Sequence, residues 1–190
     1  FLVGPYEMWG SKPWALNGMD WGFDRELFEP DLDRLMPFLE RCFELTPEFE
    51  NVGVKTVVNG PITHTPDDNI LAGPQAGLQN FWNLCGASIG IAQGGVGKFL
   101  AQWMVHGQTE INMAPLDSRR FGDWADKKYC TIKAIESYEE MYGVGAPNMN
   151  RPHGRPSRTS PLYVRLLEKG CIHGATQGYE KALWFQTDTV

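Results

Sequence analysis

The sequence contains no long apolar run and no cluster of basic residues. No stretch of about 18 apolar residues is present, so no membrane-spanning helix is expected. The formal net charge is −6 at pH 7, and without a basic run a nucleic-acid partner has no electrostatic support. Hydrophobic residues make up 42% of the chain and charged residues 21%, which is the balance of an ordinary globular protein. Membrane-embedded and nucleic-acid-binding classes are therefore set aside.

The sequence also has few of the patterns that bind metals or form disulfides. Its four cysteines lie about 40 residues apart, and none belongs to a C-x-x-C pair. This spacing excludes the usual zinc sites and a disulfide scaffold. It favours a reducing compartment, the cytoplasm or, in a eukaryote, the mitochondrial matrix. His64 lies near Asp67 and Asp68, but no second histidine stands at ligand spacing, so we expect no metal ion.

Neither end of the chain has a recognisable start or stop. Phe1, Leu2 and Val3 follow neither a start methionine nor a basic segment, which is unlike a signal peptide. The last residues, 186–190, do not complete a recognisable element. We therefore expect the chain to be a fragment whose first strand is cut.

The hydrophobic pattern predicts an α/β (α+β) fold without internal repeats. Within residues 31–45 the spacing of apolar residues is helical, and the proline predicts a turn followed by a helix that starts near Pro37. The other predicted helices and strands are helices at 98–106, 124–142 and 162–168 and strands at 1–8, 52–59 and 80–85.

The second half of the chain differs in character from the first. The predicted helix at 124–142 carries Ile132 and Ile135 in its apolar stripe. Residues 148–160 are basic and rich in proline, which predicts an extended connector, and a glycine-punctuated tail follows at 171–185. The change of composition near residues 114–117 predicts a boundary between two domains, which comprise residues 1–115 and 116–190.

Residues 86–97 contain five glycines between a predicted strand and a predicted helix. A P-loop is excluded, because Ala92 stands at the leading glycine position of G-x-x-x-x-G-K-[ST] and Phe99 follows Lys98. A glycine loop that opens a helix can instead present backbone N–H groups to a negative charge, such as the N1–C2=O edge of a reduced flavin. A tight structural turn is the alternative that these residues leave open. The dinucleotide fingerprint G-x-G-x-x-G is found neither here nor elsewhere in the chain.

Two sets of motifs resemble one family of flavoenzymes. Four segments are similar to the C-terminal half of a D-amino-acid-oxidase-like flavin domain: GPITHTPDDN at 60–69, LAGP at 71–74, NFW at 80–82 and the glycine loop at 86–97. Three segments resemble the central domain that follows it in FAD-dependent dimethylglycine and sarcosine dehydrogenases: RRFG at 119–122, RPSRTSPLY at 155–163 and GYEKALWF at 178–185. The two sets stand in the family's order and cover nearly the whole chain.

The resemblance implies which residues contact the cofactor and the substrate. On the FAD side it implies a continuous segment consisting of Ser88, Ile89, Gly90, Ile91, Ala92, Gln93, Gly94 and Gly95. It also implies Pro66 and Asp67, which match a turn near the flavin ring. Tyr6 matches the strand whose tyrosine faces the substrate amine. A tyrosine hydroxyl can orient the amine or help keep it neutral, with the lone pair that hydride loss requires; simple packing is the alternative role for this residue.

The activity implied by the resemblance is the oxidation of an N-methyl amine such as dimethylglycine or sarcosine, with a hydride passing from the methyl carbon to FAD. Two parts of the family pattern are absent from the 190 residues: the N-terminal dinucleotide-binding unit and the folate-binding domain that commonly follows. We therefore expect this part to bind FAD poorly by itself. Tetrahydrofolate is expected only in the full-length enzyme, and a small methylated amine is the expected substrate.

Two other functions stay open on the sequence. One is a non-catalytic or truncated partner module that needs a separate FAD-binding chain. The other is a folate-dependent aminomethyl-transfer module. The basic connector bears on the second, because Arg151, Arg155 and Arg158 could meet the anionic tail of a folate. Pairing within the protein or solvation is the alternative for these arginines.

Overall fold

The computed structural model describes residues 2–8, 14–24, 26–86, 89–145, 147 and 149–186, and of residues 89–93 it describes only the backbone. The chain divides into two compact units, Phe1–Ile62 and Thr63–Val190. Helices and small antiparallel sheets are both present, so the mixed fold class predicted from the sequence is confirmed. None of the helices in the described part of the chain has the length and apolarity that a bilayer crossing requires.

In the first unit, the helix α1 spans Leu32–Leu45. The Asp31 side chain caps it by accepting a hydrogen bond of 3.0 Å from the backbone N–H of Arg34. The predicted start near Pro37 is wrong, because the helix runs through that proline. Pro37 lacks the N–H that would bond one turn back, and the cap at Asp31 nevertheless fixes the start of the helix upstream of it. A short 3₁₀ helix follows at Pro47–Asn51.

The two strands predicted in this unit are not found. Residues 2–8 have no regular secondary structure, and neither do residues 52–58. An isolated bridge joins Phe28 to Asn59, with the Phe28 N–H donating to the Asn59 carbonyl at 2.8 Å. Val52, Val54 and Val58 of the second segment are exposed, and Val57 is half-buried. An alternating pattern becomes a strand only when a partner strand and a buried face are available, and this segment has neither.

In the second unit, the described residues form two hairpin-like sheets and three α-helices. Its elements, in chain order, are β1 (Leu71–Pro74), β2 (Trp82–Cys85), α2 (Ile89–His106), a 3₁₀ turn (Ser118–Arg120), α3 (Lys127–Glu140), α4 (Tyr163–Glu168), β3 (Cys171–Thr176) and β4 (Tyr179–Phe185). β1 pairs with β2 and β3 pairs with β4, both antiparallel. The predicted strand at 80–85 is therefore confirmed as β2, although its last two residues, Leu84 and Cys85, are exposed rather than buried.

α2 is longer than the sequence pattern predicts, and it corrects the interpretation of the glycine loop. From Ile89 onward the glycine-rich segment is helical. Packing supports this helix in spite of its glycines: Leu100 is buried, and the Trp103 ring meets the Trp82 ring edge-on with centroids 5.8 Å apart. The end is as predicted, because Gly107 adopts a left-handed φ of 72° and donates to the Trp103 carbonyl at 2.9 Å.

α3 is shorter than the predicted helix at 124–142, and it buries a different face. Asp126 caps it by accepting a 2.8 Å hydrogen bond from the Tyr129 N–H. Ile132 and Ile135, the predicted apolar stripe, are only half-buried. The buried residues are mainly polar or charged, and consist of Tyr129, Lys133, Glu136 and Ser137. This face can be buried because its charged groups are paired: Lys133 forms an ion pair with Glu136, and the Nδ1 of His153 lies 2.9 Å from the Glu136 Oε1.

The C-terminal part follows the predicted order more closely. α4 confirms the short helix predicted at 162–168. The glycine-punctuated tail forms the β3–β4 hairpin, whose two turn residues, Gln177 and Gly178, have left-handed φ angles of 49° and 73°. Two consecutive left-handed residues are the signature of a type I′ hairpin turn. The domain boundary near residue 115 stays a prediction, and the Ala72 N–H bonds across that position to the Leu116 carbonyl at 2.8 Å.

Candidate functional site

The first residue after β2 lies directly against a turn at residues 65–70, called here the 65–70 turn. Gly86, the residue after β2, has a left-handed φ of 122°. A Cβ atom on Gly86 would lie 3.2 Å from the Ile70 Cα and 3.4 Å from the Thr65 Cγ2. Only a glycine allows this backbone conformation and this close approach together. The structure thus brings the turn that carries Pro66 and Asp67 next to the segment that leads into α2.

The described part of α2 is open at two of its glycines. A Cβ atom added at Gly94 or at Gly95 would meet no other atom within 4 Å. The first turn contains no acidic residue, and the first four N–H groups of any α-helix have no partner within the helix. Such a helix start favours an anionic or electron-rich group, and the missing side chains leave room for a flat one. These features fit the electron-accepting edge of a flavin.

Six further residues predicted to contact FAD belong to this segment. The backbones of Ile89, Gly90, Ile91, Ala92 and Gln93 form the first turns of α2, and their side chains lie outside the described residues, as does the whole of Ser88. The contacts of all of them with a cofactor stay predictions.

Asp67 is held in place by a network of hydrogen bonds. Its Oδ2 accepts from the Nε of Arg120 at 2.7 Å, and its Oδ1 accepts from the Nη2 of the same residue at 2.9 Å. Oδ1 also accepts from the Asn69 N–H at 3.2 Å and from the Thr65 hydroxyl at 3.3 Å. The carboxylate therefore fixes the shape of the turn, and the half-buried Pro66 beside it is fixed with it. A direct contact of either residue with FAD stays a prediction.

Arg120 uses all five of its N–H donors in this arrangement. Besides the two bonds to Asp67, Nη2 donates to the Asn69 carbonyl at 2.9 Å. Nη1 donates to the carbonyls of Leu116 at 2.9 Å and Asp117 at 3.1 Å. The side chain is only 3% exposed. The sequence singles out the RRFG motif but gives no sign of its partner, because Asp67 lies 53 residues away.

The arginines of the basic connector are also engaged within the protein. Arg151 pairs with Asp68, and its Nε lies 3.2 Å from the Glu140 Oε2. Arg155 donates to both carboxylate oxygens of Glu180, at 2.8 Å and 2.6 Å. The third arginine, Arg158, has its guanidinium within cation–π distance of two rings, Trp124 at 5.1 Å and Tyr179 at 5.5 Å. Of the two roles the sequence left open for this connector, the structure shows internal pairing.

His64 lies at the interface between the 65–70 turn and α3. Its Nδ1 is 3.0 Å from the Oγ of Ser137, which is fully buried, and its ring meets the Tyr138 ring edge-on. Burial lowers the pKa of His64; the charge of Asp68 opposes this shift and that of Arg151 reinforces it. Nε2 is buried without a hydrogen-bond partner. In the part of the chain that the structure describes, no cluster of three or more metal-ligating side chains is found.

Tyr6, the predicted substrate-facing residue, lies in the first unit. Its side chain is half-buried. The next residue, Glu7, is buried and forms an ion pair with Arg34 of α1. This pair ties the N-terminal segment to the helix and so limits the positions that Tyr6 can take. Its role toward a substrate stays a prediction.

Comparison with known proteins gives one family match and several relatives. Residues 106–160 match the family described as FAD dependent oxidoreductase central domain. Human mitochondrial dimethylglycine dehydrogenase is 42% identical over 97% of this chain. Mouse mitochondrial sarcosine dehydrogenase is 34% identical over 96% of it. The regulatory subunit of mouse mitochondrial pyruvate dehydrogenase phosphatase is 34% identical over 82%.

These alignments use only part of each relative. The chain covers 22% of the human dimethylglycine dehydrogenase, 20% of the sarcosine dehydrogenase and 18% of the regulatory subunit. Within that part the similarity is nearly continuous, and it runs through both units of the fold. The resemblance that the sequence motifs indicate is therefore confirmed: over nearly its whole length the chain is similar to the dimethylglycine and sarcosine dehydrogenases, and residues 106–160 match the FAD dependent oxidoreductase central domain.

Proposed function

We propose that the chain is part of a flavoprotein that oxidises an N-methyl amine such as dimethylglycine or sarcosine. The observation that carries this proposal is the contact between the 65–70 turn and the junction leading into α2, through Gly86. It joins the two segments of this unit that the family resemblance assigns to FAD. The identity to two dehydrogenases of N-methyl amines supports the substrate class.

On this proposal the start of α2 is the part of the chain that faces FAD. Backbone N–H groups of Ile89, Gly90, Ile91 and Ala92 point toward the N-terminal end of the helix, where the dipole stabilises negative charge. Gly94 and Gly95 leave the adjoining face clear. On the same proposal, Pro66 and Asp67 of the 65–70 turn also contact FAD. FAD, when bound, supplies the hydride acceptor, and the task of these residues is to orient it and to favour its reduced state.

Tyr6 is proposed to act on the substrate side. Only a neutral amine has the lone pair that stabilises the cation formed when a hydride leaves the adjacent methyl carbon. A tyrosine hydroxyl within hydrogen-bond reach of the nitrogen would orient it and exchange a proton with it. The half-buried position of Tyr6, fixed by the neighbouring Glu7–Arg34 pair, is consistent with such a role.

A segment exchange tests the proposal. The 190 residues would replace the aligned segment of human dimethylglycine dehydrogenase, to which they are 42% identical. We expect the exchanged protein to retain FAD and the flavin to be reduced by dimethylglycine or sarcosine under anaerobic conditions, which is read as loss of absorbance near 450 nm, roughly the usual flavin band. Retained flavin that neither amine reduces would contradict the proposed activity.

The Tyr6→Phe variant of the exchanged protein separates the role of the hydroxyl from that of the ring. We expect slower flavin reduction, by about 10²-fold if the hydroxyl takes part in proton transfer. The matched control is Tyr142→Phe, which removes the hydroxyl of an exposed tyrosine in the second unit. An unchanged reduction rate in Tyr6→Phe would remove Tyr6 from the proposed site.

A second candidate function is a partner module without its own catalysis. The observation that favours it is the 34% identity to a protein named as a regulatory subunit. The exchange distinguishes the two, because a regulatory segment that has lost its catalytic features would leave the host enzyme with flavin but without amine-driven reduction. A folate-binding role is not favoured, since the arginines of the basic connector already have partners within the protein.

The location of the protein belongs to the same proposal. The dimethylglycine and sarcosine dehydrogenases that it resembles are both named as mitochondrial. We propose the mitochondrial matrix if the source is a eukaryote. The four cysteines, which are free, fit a reducing compartment.

A further inference from the structure

Arg120 and the 65–70 turn belong to different parts of the chain. Arg120 lies within residues 106–160, which match the central-domain family, whereas the turn lies outside that match. The bidentate pair between Arg120 and Asp67 is the main polar contact that joins them, with N–O distances of 2.7 Å and 2.9 Å. A residue within the central-domain match therefore holds a turn that lies outside that match and is proposed to border FAD.

The contact is rigid as well as direct. All five N–H donors of Arg120 are used, and they converge on one carboxylate and three carbonyls. The guanidinium is planar, so the five bonds fix its position and orientation together. With the arginine 3% and the aspartate 12% exposed, neither charge has enough water around it to compensate for the loss of the other.

Two additional contacts hold the turn and the residue before it. Asp68 pairs with Arg151, and His64, just before the turn, bonds to Ser137 on α3. Asp68 itself has a left-handed φ of 63°, a conformation that aspartate adopts more readily in turns than most other residues do. Gly86 also packs closely against Ile70, the last residue of the turn. Together these contacts hold the turn in one conformation, as is common for segments that border a ligand.

We propose that Arg120 is a positioning residue of the FAD site: it holds the 65–70 turn against the junction into α2 and balances the charge of Asp67 there. This inference rests on the proposed function. Arg120 itself donates only to protein groups, so it acts on the cofactor through the turn and through its charge.

The charge balance gives a signature that packing alone would not produce. Removing the positive charge in Arg120→Met leaves the Asp67 carboxylate uncompensated near the electron-accepting ring. This disfavours the reduced flavin and lowers its reduction potential. Removing the negative charge in Asp67→Asn leaves Arg120 uncompensated and raises the potential. A turn that is merely loosened would move the potential in the same direction in both variants.

The experiment has two arms. In the segment-exchange protein described above, the reduction potential of bound flavin is measured for the parent, Arg120→Met, Asp67→Asn and the conservative variant Arg120→Lys. In the 190-residue chain without flavin, amide hydrogen exchange is followed for peptides that cover residues 65–70. The matched control is Arg119→Met, which removes the neighbouring arginine, 50% exposed and paired with Asp117.

We expect opposite shifts of potential in Arg120→Met and Asp67→Asn, an intermediate shift in Arg120→Lys, and none in Arg119→Met. We expect exchange in the 65–70 turn to accelerate by roughly 10-fold or more in Arg120→Met, as the loss of a charged hydrogen-bond network implies. Arg120→Lys keeps the positive charge and serves where Arg120→Met does not fold.

Each remaining result counts against the inference in a recognisable way. Shifts of the same sign in the two charge variants, or no shift, would overturn it while leaving the proposed function in place. Unchanged exchange of the turn in Arg120→Met would also overturn it. A parent exchange protein that holds no flavin would contradict the proposed function, and the inference would fall with it.

Discussion

The Nδ1 of His64 lies 3.0 Å from the Oγ of Ser137, a side chain with no exposure to solvent. This contact joins the segment before the 65–70 turn to α3, across 73 residues of sequence. It places an imidazole where a positive charge is unfavourable, because burial lowers the pKa of His64 from its ordinary value of 6.5. Stability should therefore depend on pH through this residue.

The direction of that dependence follows from which state binds the proton first. Above pH 6.5 His64 is neutral in both states, so it makes no pH-dependent contribution. As the pH falls below that value, the unfolded chain takes up the proton before the folded chain does, and the free energy of unfolding decreases until the lower, folded-state pKa is reached. We expect His64→Gln to reduce this loss, measured by urea unfolding between about pH 7.5 and pH 5.

The control for the pH experiment is His106→Gln. His106 is exposed at the last position of α2, so its replacement should keep the loss of stability on acidification. A His64→Gln variant with the same pH dependence as the parent would show that the histidine is not buried as described.

The buried ion pair predicts a large difference between two adjacent arginines. Arg120→Met leaves Asp67 unpaired in a nearly buried site, and such losses cost about 3–5 kcal/mol. Arg119→Met breaks an exposed pair with Asp117, which is expected to cost at most about 1 kcal/mol. The measurement is the free energy of unfolding, followed by tryptophan fluorescence. Equal losses in the two variants would contradict the burial and the hydrogen bonds of Arg120.

The glycines of α2 predict a conflict between stability and cofactor binding. Gly94 is helical and exposed, with nothing within 4 Å of an added Cβ. Gly94→Ala should therefore raise the free energy of unfolding by about 0.5–1 kcal/mol, because alanine loses less backbone entropy in a helix. In the segment-exchange protein the same methyl group would lie on the face proposed for FAD, so we expect the fraction of protein that retains flavin to fall.

Ala101→Gly is the matched change in the same helix. Ala101 is exposed in the C-terminal half of α2, so glycine there should cost about 1 kcal/mol without affecting flavin retention. Full flavin retention in a stabilised Gly94→Ala protein would argue that this face of α2 does not meet the cofactor.

The β3–β4 hairpin predicts a position where alanine is poorly tolerated. Gly178 has a φ of 73°, and its added Cβ would lie 2.6 Å from the Cη2 of Trp124. Gly77 has nearly the same φ, 76°, but open space around it. We expect Gly77→Ala to cost about 1 kcal/mol from backbone strain alone, and Gly178→Ala to cost about 2–4 kcal/mol, since overpacking is added. Thermal unfolding of both variants checks this, and similar losses would refute the contact with Trp124.

Parts of the fold that depend on local signals could be predicted from the sequence. The end of α2 follows from Gly107, and α4 follows from a short apolar run after a proline-rich segment. The start of α2 could not be predicted, because the density of glycine indicates a loop. Packing of Leu100 and Trp103 against the β1–β2 pair supports the helix as a whole, and no local pattern records that packing.

The candidate site was predictable only where a family motif marks it. The resemblance points to the glycine-rich segment and to Pro66 and Asp67; the structure shows Gly86, at the start of that segment, against Thr65 and Ile70, which flank the other two. The RRFG motif marks Arg120, but its pairing with Asp67 could not be predicted in this way, because the two residues lie 53 positions apart. The same holds for the polar face of α3: Glu136 and Ser137 look like surface residues until His153 and His64 are seen to pair with them.

The most direct test of the central claim is a crystal structure of the segment-exchange protein with FAD bound. The account predicts that backbone nitrogens of residues 89–92, at the start of α2, lie within about 3.2 Å of the N1–C2=O edge of the flavin ring. The 65–70 turn should border the same ring. A flavin whose N1–C2=O edge faces other residues, with the start of α2 turned away from it, would contradict the account.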